Sequence, residues 1–178
     1  MTNSGPSQIG VSFDAKPHAY DPVANPELFD GVLTRRVIAF AIDFIVIAIP
    51  PILVSLLIFL FGLLTLGLGW ALFFFVTPGW VIWALFYYGL TLGSPASATL
   101  GMRATGIEMR TWYGGPLYFV LGAVHAVVFW VSVSVLTPFI LIVGPFNGRK
   151  RLLHDMLVGT VLINNPARSA ALRRRFVR

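Results

Sequence analysis

Apolar residues fill two long stretches of this 178-residue chain and leave its two ends polar. The first stretch, 37–92, contains a single charged residue, Asp43, and the second, 111–148, contains none. A helix needs roughly 20 consecutive apolar residues to cross the hydrocarbon core of a bilayer. The first stretch is long enough for two such helices, and the three glycines of GLLTLGLG (62–69) offer a turn between them. The pattern predicts an all-α membrane protein.

The predicted spans are about 36–61, 70–92 and 116–146. The third is short for two complete crossings, yet the Thr-Pro step at 137–138 can divide it into one long helix and a shorter return, because proline removes a helical hydrogen bond. We therefore predict a small bundle of three to four transmembrane or re-entrant helices.

The distribution of Lys and Arg predicts how the chain is oriented in the membrane. Cytoplasmic loops of membrane proteins carry an excess of Lys and Arg. The Arg35 and Arg36 end and the loop 93–110 both carry such an excess, and two crossings separate them. A single crossing by the third segment would place the basic cluster 149–151 outside, so an even number of crossings is favoured. Both termini are then predicted to be cytoplasmic.

The chain divides into three parts. Residues 1–30 contain spaced prolines and no apolar periodicity, which predicts a disordered tail and no secretory signal. Residues 31–164 form the transmembrane domain, and residues 165–178 form a basic tail. TGIEMR (105–110) and GTVLI (159–163) are short and partly β-branched, and we expect them to pair as two strands on the cytoplasmic face. The alternative is an interfacial helix and a frayed tail.

Composition narrows the function classes. The chain is 57% hydrophobic, 11% charged and free of cysteine, with a net charge of +6, and its mean hydropathy is +0.81. The basic residues flank the apolar segments, which favours topology and contact with anionic headgroups over nucleic-acid binding. The histidines lack metal-ligand spacing, and neither a hydrolase triad nor a phosphate-binding loop is evident. We predict no enzyme activity, no cofactor and no metal.

Arg36 and Asp43 are the first candidate site residues. They are seven apart, so at about 100° per residue they fall on nearly the same helix face. Asp43 lies roughly 10 Å further along the axis, below the headgroups. Because an ionised carboxylate facing lipid is unfavourable, it must face protein or water, be paired or be protonated. Two interpretations remain open: a structural charge pair, and a site that titrates or binds a cation or solute.

A second polar cluster follows the third apolar segment, in GRKRLLHDMLVGT (148–160). Arg151 and Asp155 are four residues apart and would pair in a helix. We predict a charge network or binding site from the charged residues near the cytoplasmic surface: Arg36, Asp43, Arg103, Arg151 and Asp155. Solvated charges at the membrane flank are the alternative.

His125 and His154 are candidates for a polar relay. His125 is the only residue of the third segment that titrates near neutral pH, and His154 precedes Asp155. An intramembrane histidine can relay protons. The alternative for His125 is a neutral ring that is hydrogen-bonded to a helix neighbour, such as Ser132 or Thr137.

Three motifs occur in order along the chain: RVIAFAID (36–43), TLGMRATGIEMR (99–110) and RLLHDMLVGTVLI (151–163). Together they resemble the RDD family, small bacterial membrane proteins named for an arginine and two aspartates. The resemblance covers about residues 31–164 and makes Asp155 the second aspartate. It implies a multi-pass protein of the bacterial inner membrane.

One position departs from the family pattern. Met102 stands where the loop commonly carries lysine, so a contact of that lysine is lost here or transferred to Arg103. Transport is suggested for the family, which leaves two hypotheses. The first is a non-catalytic subunit of a transport-related membrane assembly, either a homo-oligomer or part of a larger complex. The second is an oligomeric ion- or proton-coupled transporter that uses Asp43 and the Arg/Asp network.

Overall fold

The computed structural model describes residues 20–136 and 144–176, most of which are helical. The helices, in chain order, are α1 (Val32–Leu64), α2 (Val76–Leu92), α3 (Leu100–Thr105), α4 (Phe119–Leu136), α5 (Leu153–Val158) and α6 (Pro166–Phe176). Two short 3-10 helices (Pro26–Leu28 and Leu68–Phe75) and two strands, β1 (Ile107–Thr111) and β2 (Thr160–Asn164), are also present. The break expected at 137–138 lies outside the described residues, as do residues 1–19 of the expected tail.

Two helical segments are long and apolar enough to cross a membrane: α1, with the short helical turn before it, and the run 68–92. They contain the predicted spans 36–61 and 70–92. At 1.5 Å per residue, the 33 residues of α1 extend for about 50 Å. Only 6% of the most apolar window of each segment is buried within the chain. A core helix of a soluble protein would be mostly buried, so this exposure is the one expected of helices surrounded by lipid.

One stripe of α1 is buried against the rest of the chain. It consists of Val32, Ala39, Asp43 and Ile47, whose spacing keeps them on a single helix face. Gly101 of α3 packs directly on this stripe, because a Cβ atom there would lie 2.1 Å from the carbonyl oxygen of Ala39. The stripe therefore brings Asp43 beneath α3 and away from the lipid-facing side.

Glycines also let α4 approach α2 closely. A Cβ atom at Gly89 would lie 2.6 Å from the ring of Phe119, and one at Gly122 would lie 2.9 Å from the Cβ of Leu92. Small residues of this kind permit close backbone packing between membrane helices. The third apolar segment thus packs on α2 over the residues that the structure describes.

The predicted two-stranded element is confirmed. β1 and β2 pair antiparallel, with Ile107 opposite Asn164 and Thr111 opposite Thr160. Each strand follows a six-residue helix, α3 or α5, that ends at a left-handed glycine: Gly106 at φ 74° and Gly159 at φ 72°. Glycine adopts this conformation without steric cost, which lets the chain turn from helix into strand within one residue. We call α3, β1, α5, β2 and α6 together the cap.

The described parts of both predicted tails contain helical structure. Phe29 is buried with Val161 and Ile163 of β2, so the expected disorder does not extend to residue 30. The basic segment expected as a tail from residue 165 contains α6. Arg173 of α6 donates to the buried carboxylate of Glu27 at 2.5 Å, and this ion pair joins the two ends of the described chain.

Candidate functional site

A largely buried ion pair joins the start of α1 to α5. The guanidinium of Arg36 donates to the carboxylate of Asp155 twice, from Nη1 to Oδ2 at 2.5 Å and from Nη2 to Oδ1 at 2.7 Å. Oδ2 also accepts the backbone N–H of Leu152 at 2.8 Å, at the first turn of α5. The Asp155 side chain is fully buried, and that of Arg36 is 13% exposed. Two parallel bonds of this kind are the strongest arginine–carboxylate arrangement, so they fix α1 against the cap.

The ionisation of Asp155 follows from this pairing. Burial acts to raise the pKa of its carboxyl group, but the charge and hydrogen bonds of Arg36 outweigh burial and hold that pKa below its ordinary value. Asp155 is therefore a carboxylate, and the contact is an ion pair.

His154 lies beside this ion pair. Its Nε2 atom is 2.6 Å from Nη2 of Arg36 and 3.4 Å from Oδ1 of Asp155. A guanidinium can only donate, so Nε2 accepts and the proton of the neutral ring is on Nδ1. Nδ1 is buried and has no hydrogen-bond partner among the described residues. Burial lowers the pKa of His154 to about 3, which keeps the ring neutral at physiological pH.

His125 reaches the same cluster from α4. Its Nδ1 atom lies 3.3 Å from the hydroxyl of Thr160, and its Nε2 atom lies 3.8 Å from Oδ1 of Asp155. Ser132, one of the two neighbours suggested for a neutral His125 ring, instead donates its hydroxyl to a carbonyl of its own helix. The other expected partner, Thr137, lies outside the described residues. The face of α4 that carries His125 is turned toward β2 and α5.

Together, His125, His154 and Asp155 present three potential metal ligands within 4.8 Å of one another. The spacing of these residues in the sequence did not predict such a group. Nη2 of Arg36 lies 2.6 Å from Nε2 of His154 and 2.7 Å from Oδ1 of Asp155, the atoms with which these two residues would bind an ion between them and His125. A metal ion at this point would have to displace the guanidinium. The cation that the cluster holds in this structure is therefore Arg36.

Arg151 contacts the backbone of Asp155 and not its carboxylate, contrary to the expected pair. Its Nη2 donates to the Asp155 carbonyl at 2.7 Å, and its Nε donates to the Thr160 carbonyl at 2.8 Å. Its guanidinium also lies 4.3 Å from the ring centroid of Trp112, within the range of a cation–π contact. α5 begins only at Leu153, so Arg151 is outside the helix and the four-residue spacing does not bring the two side chains together.

Asp43 has no arginine partner within the described chain, so of the two interpretations left open the charge pair with Arg36 is wrong. Its Oδ1 atom accepts from the Tyr87 hydroxyl at 2.6 Å and from the Gly101 backbone N–H at 2.8 Å. Its Oδ2 atom accepts from the Thr99 hydroxyl at 2.5 Å. With 2% exposure, Asp43 is buried among neutral donors.

The positive partner of Asp43 is the first turn of α3. The hydroxyls of Tyr87 and Thr99 accept the backbone N–H groups of Leu100 and Met102 respectively. Each hydroxyl therefore turns its own hydrogen toward the carboxylate. The first amides of a helix have no partner within the helix and carry partial positive charge. Asp43 satisfies three of them, one directly and two through hydroxyl groups.

The side chain of Arg103 contacts neither Asp43 nor Asp155. Its Nε donates to the Ala98 carbonyl at 3.1 Å, and its Nη2 donates to the Ser94 hydroxyl at 2.9 Å. These contacts hold the loop that precedes α3. The five predicted site residues therefore do not form one network. Arg36 pairs with Asp155, and Arg151 contacts the backbone of the same segment. Asp43 forms a separate site, and Arg103 takes part in neither.

Sequence reasoning missed Tyr87, Thr99 and Gly101 as partners of Asp43. One signal was present, since Thr-x-Gly at the start of a short helix combines a helix-capping residue with one that permits close approach. Nothing in the local sequence of α2 distinguishes Tyr87 from Tyr88. Asp43, the common partner of Tyr87, Thr99 and Gly101, lies 44 to 58 positions away from them in the sequence.

No curated protein and no solved structure shows a significant match to the chain. Its sequence does match the RDD family, over residues 31–159. That range includes α1 with Arg36 and Asp43, the Thr99–Gly101 turn, and Asp155 of α5. Since the match covers most of the chain, this protein, with its two apolar helices long enough to cross a membrane, belongs to the RDD family.

Proposed function

We propose that this protein is a non-catalytic subunit of a transport-related membrane assembly. The observation that supports this role is that the buried charged groups serve the fold itself. Asp155 holds Arg36 and the first turn of α5, and Asp43 holds the first turn of α3. Groups engaged in this way fasten the cap to the helices and are not free to bind a solute without breaking the fold.

The outer surface supports the same role. Large apolar side chains of α1 and α2 are exposed, for example Ile52 at 63%, Leu57 at 65% and Ile82 at 56%. Lipid covers such surface, and so does the apolar face of another membrane protein. Three or four membrane helices are too few to enclose a path through the bilayer, so transport would require further subunits.

A gentle affinity purification tests the proposal. We expect a permease or ATPase component to co-purify in stoichiometric amount, and we expect Ile82→Trp, which enlarges the exposed face of α2, to reduce its recovery. Val135→Trp on α4, where the side chain is 73% exposed, is the matched control. Recovery of this chain alone, as a monomer, would contradict the proposal.

The proposed topology is multi-pass in the bacterial inner membrane, with three to four membrane-embedded helices and both termini cytoplasmic. The chain contains no cysteine, so single cysteines can be introduced and labelled. Leu66→Cys lies at the 97% exposed turn after α1 and should react with an impermeant reagent on intact cells. Ser169→Cys in α6 should not react. Labelling of Ser169→Cys from outside would refute an even number of crossings.

One observation favours a second candidate, an oligomeric ion- or proton-coupled transporter. Asp43 is a buried carboxyl group whose partners in the described chain are two hydroxyls and one amide, and a carboxyl group at membrane depth can take up a proton or a cation in exchange for such donors. Purified protein in liposomes should then carry out cation or proton flux that Asp43→Asn abolishes while the protein stays folded. The subunit role instead predicts that Asp43→Asn keeps both its fold and its partner.

A further inference from the structure

Arg35 and Arg168 meet where α1 begins. Nη1 of Arg35 donates to the Thr105 carbonyl at 2.6 Å, beside the left-handed Gly106 that ends α3. The point where a Cβ of Gly106 would stand is 3.9 Å from Nη1 of Arg35 and 3.8 Å from Cδ of Arg168. The missing side chain lets both arginines approach the end of α3.

Neither arginine has an acidic partner within salt-bridge distance in the described chain. The arginines that do have one there are Arg36, Arg110 and Arg173. The charges of Arg35 and Arg168 repel each other, and Asp30 offsets part of this repulsion at Arg35. Nε of Arg168 is also buried and has no hydrogen-bond partner among the described residues. Two cations are thus held close together without a carboxylate within salt-bridge distance in the described chain.

The backbone fixes this arrangement. The N–H of Asn165 donates to the Gly106 carbonyl at 3.0 Å, and the side chain of Asn165 accepts the N–H of Arg168 at 2.9 Å. α6 therefore begins against the end of α3. Bringing two like charges together is unfavourable unless an anion lies between them.

We propose that Arg35 and Arg168 bind the phosphate of an anionic phospholipid headgroup. Guanidinium groups bind phosphate oxygens through two parallel hydrogen bonds. The depth of the site favours a lipid, because the apolar side chain of Ile38, three residues after Arg35 and therefore its neighbour on the helix surface, is 49% exposed. Three residues correspond to about 4.5 Å of helix, so the arginine lies at the boundary between headgroup and acyl chain. Free phosphate shares the chemistry but has no acyl chain to cover this apolar surface.

The site goes beyond the proposed subunit role and does not depend on it. It also differs from a general attraction of basic residues to anionic membranes, because it assigns one phosphate to one pair of side chains. Arg174 provides the comparison: it lies on the same helix, is exposed, and carries the same charge.

Native mass spectrometry of the full chain, purified in detergent and mixed with phosphatidylglycerol or phosphatidylcholine, tests the proposal. Wild type should retain phosphatidylglycerol in preference to phosphatidylcholine. Arg168→Gln should weaken that binding about tenfold, the effect of losing one charged hydrogen bond. Arg174→Gln should leave it within about twofold, the effect expected of one exposed charge. The guanidinium of Arg168 makes no hydrogen bond within the described residues, so this variant should fold.

Thermal unfolding gives a second measurement if detergent competes with lipid. Phosphatidylglycerol should raise the unfolding temperature of wild type and Arg174→Gln, and not that of Arg168→Gln. Equal retention of the two lipids, or equal loss in both variants, would overturn the proposal. Displacement of phosphatidylglycerol by millimolar inorganic phosphate would assign the site to free phosphate and overturn it as a lipid site.

Discussion

Replacement of Asp43 by leucine removes the group that satisfies the first turn of α3. Three donors then lose their acceptor: the Tyr87 hydroxyl, the Thr99 hydroxyl and the Gly101 amide. Each buried donor without an acceptor costs about 1–3 kcal/mol, so three cost about 3–9 kcal/mol. A domain is stable by about 5–15 kcal/mol in total. We therefore expect Asp43→Leu to detach or unfold the cap.

Asparagine at the same position should be much milder. Its carbonyl oxygen can still accept from Tyr87 and Gly101, which share one oxygen of Asp43. Only the hydrogen of the Thr99 hydroxyl then lacks an acceptor, at a cost of about 1–3 kcal/mol. Neither variant has a carboxyl group at this position, so the difference between them reports chiefly on the hydrogen bonds that asparagine keeps and leucine loses.

Amide hydrogen exchange at Leu100, Gly101 and Met102, followed by mass spectrometry, is the direct assay. These amides should be protected in wild type, slightly less so in Asp43→Asn, and unprotected in Asp43→Leu. Asp21→Asn, at an exposed carboxylate that contacts only its own turn, is the matched control and should change nothing in α3. Equal damage from Asp43→Asn and Asp43→Leu would refute the reasoning, and so would unchanged protection in Asp43→Leu.

Three further predictions follow from the cap. Arg36→Met should lower the free energy of unfolding by about 3–5 kcal/mol, because it leaves the buried Asp155 carboxylate unpaired. In denaturant titration the double variant Arg36→Met/Asp155→Leu should recover part of this loss, and strictly additive effects of the two substitutions would contradict the pairing. The folded-state pKa of His154, about 3, is below its ordinary value of 6.5. The contribution of the neutral ring to stability should therefore be fully present above pH 6.5 and fall toward pH 3 by at most about 1.4 kcal/mol per pH unit. His154→Gln should flatten this pH profile, and an unchanged profile would exclude His154 as its source. Gly101→Ala should lower the unfolding temperature strongly, since its Cβ would lie 2.1 Å from a carbonyl oxygen of α1. The matched variant Gly79→Ala, whose Cβ would have no atom within 4 Å, should be neutral or stabilising by up to about 1 kcal/mol. Equal effects of the two substitutions would contradict the close packing of α3 on α1.

Features that depend on local sequence were predictable. The absence of charge over 37–92 apart from Asp43 indicated helices suited to a bilayer, because the cost of burying charge in hydrocarbon acts on each residue separately. The two strands were predictable from short β-branched runs next to Gly106 and Gly159. Their positions were shifted by one or two residues, because the left-handed glycine first completes the helix before it.

The partners of the buried charges were not predictable in the same way. Arg36 and Asp43 share a helix face, yet Arg36 pairs with Asp155, 119 residues away, and Asp43 binds the start of α3. Helix periodicity states which residues share a face, but it does not state what packs against that face. That depends on how α3 and α5 are placed, which is set by contacts such as Gly101 against Ala39.

By itself, the sequence determined that the chain is a helical membrane protein of the RDD type, since hydrophobic length and motif order are properties of the chain read in one dimension. Only the tertiary structure decided that its three signature residues form two separate sites. Charges in a protein interior interact with whatever the fold brings within a few ångströms, and here a helix terminus reaches Asp43 before any arginine does.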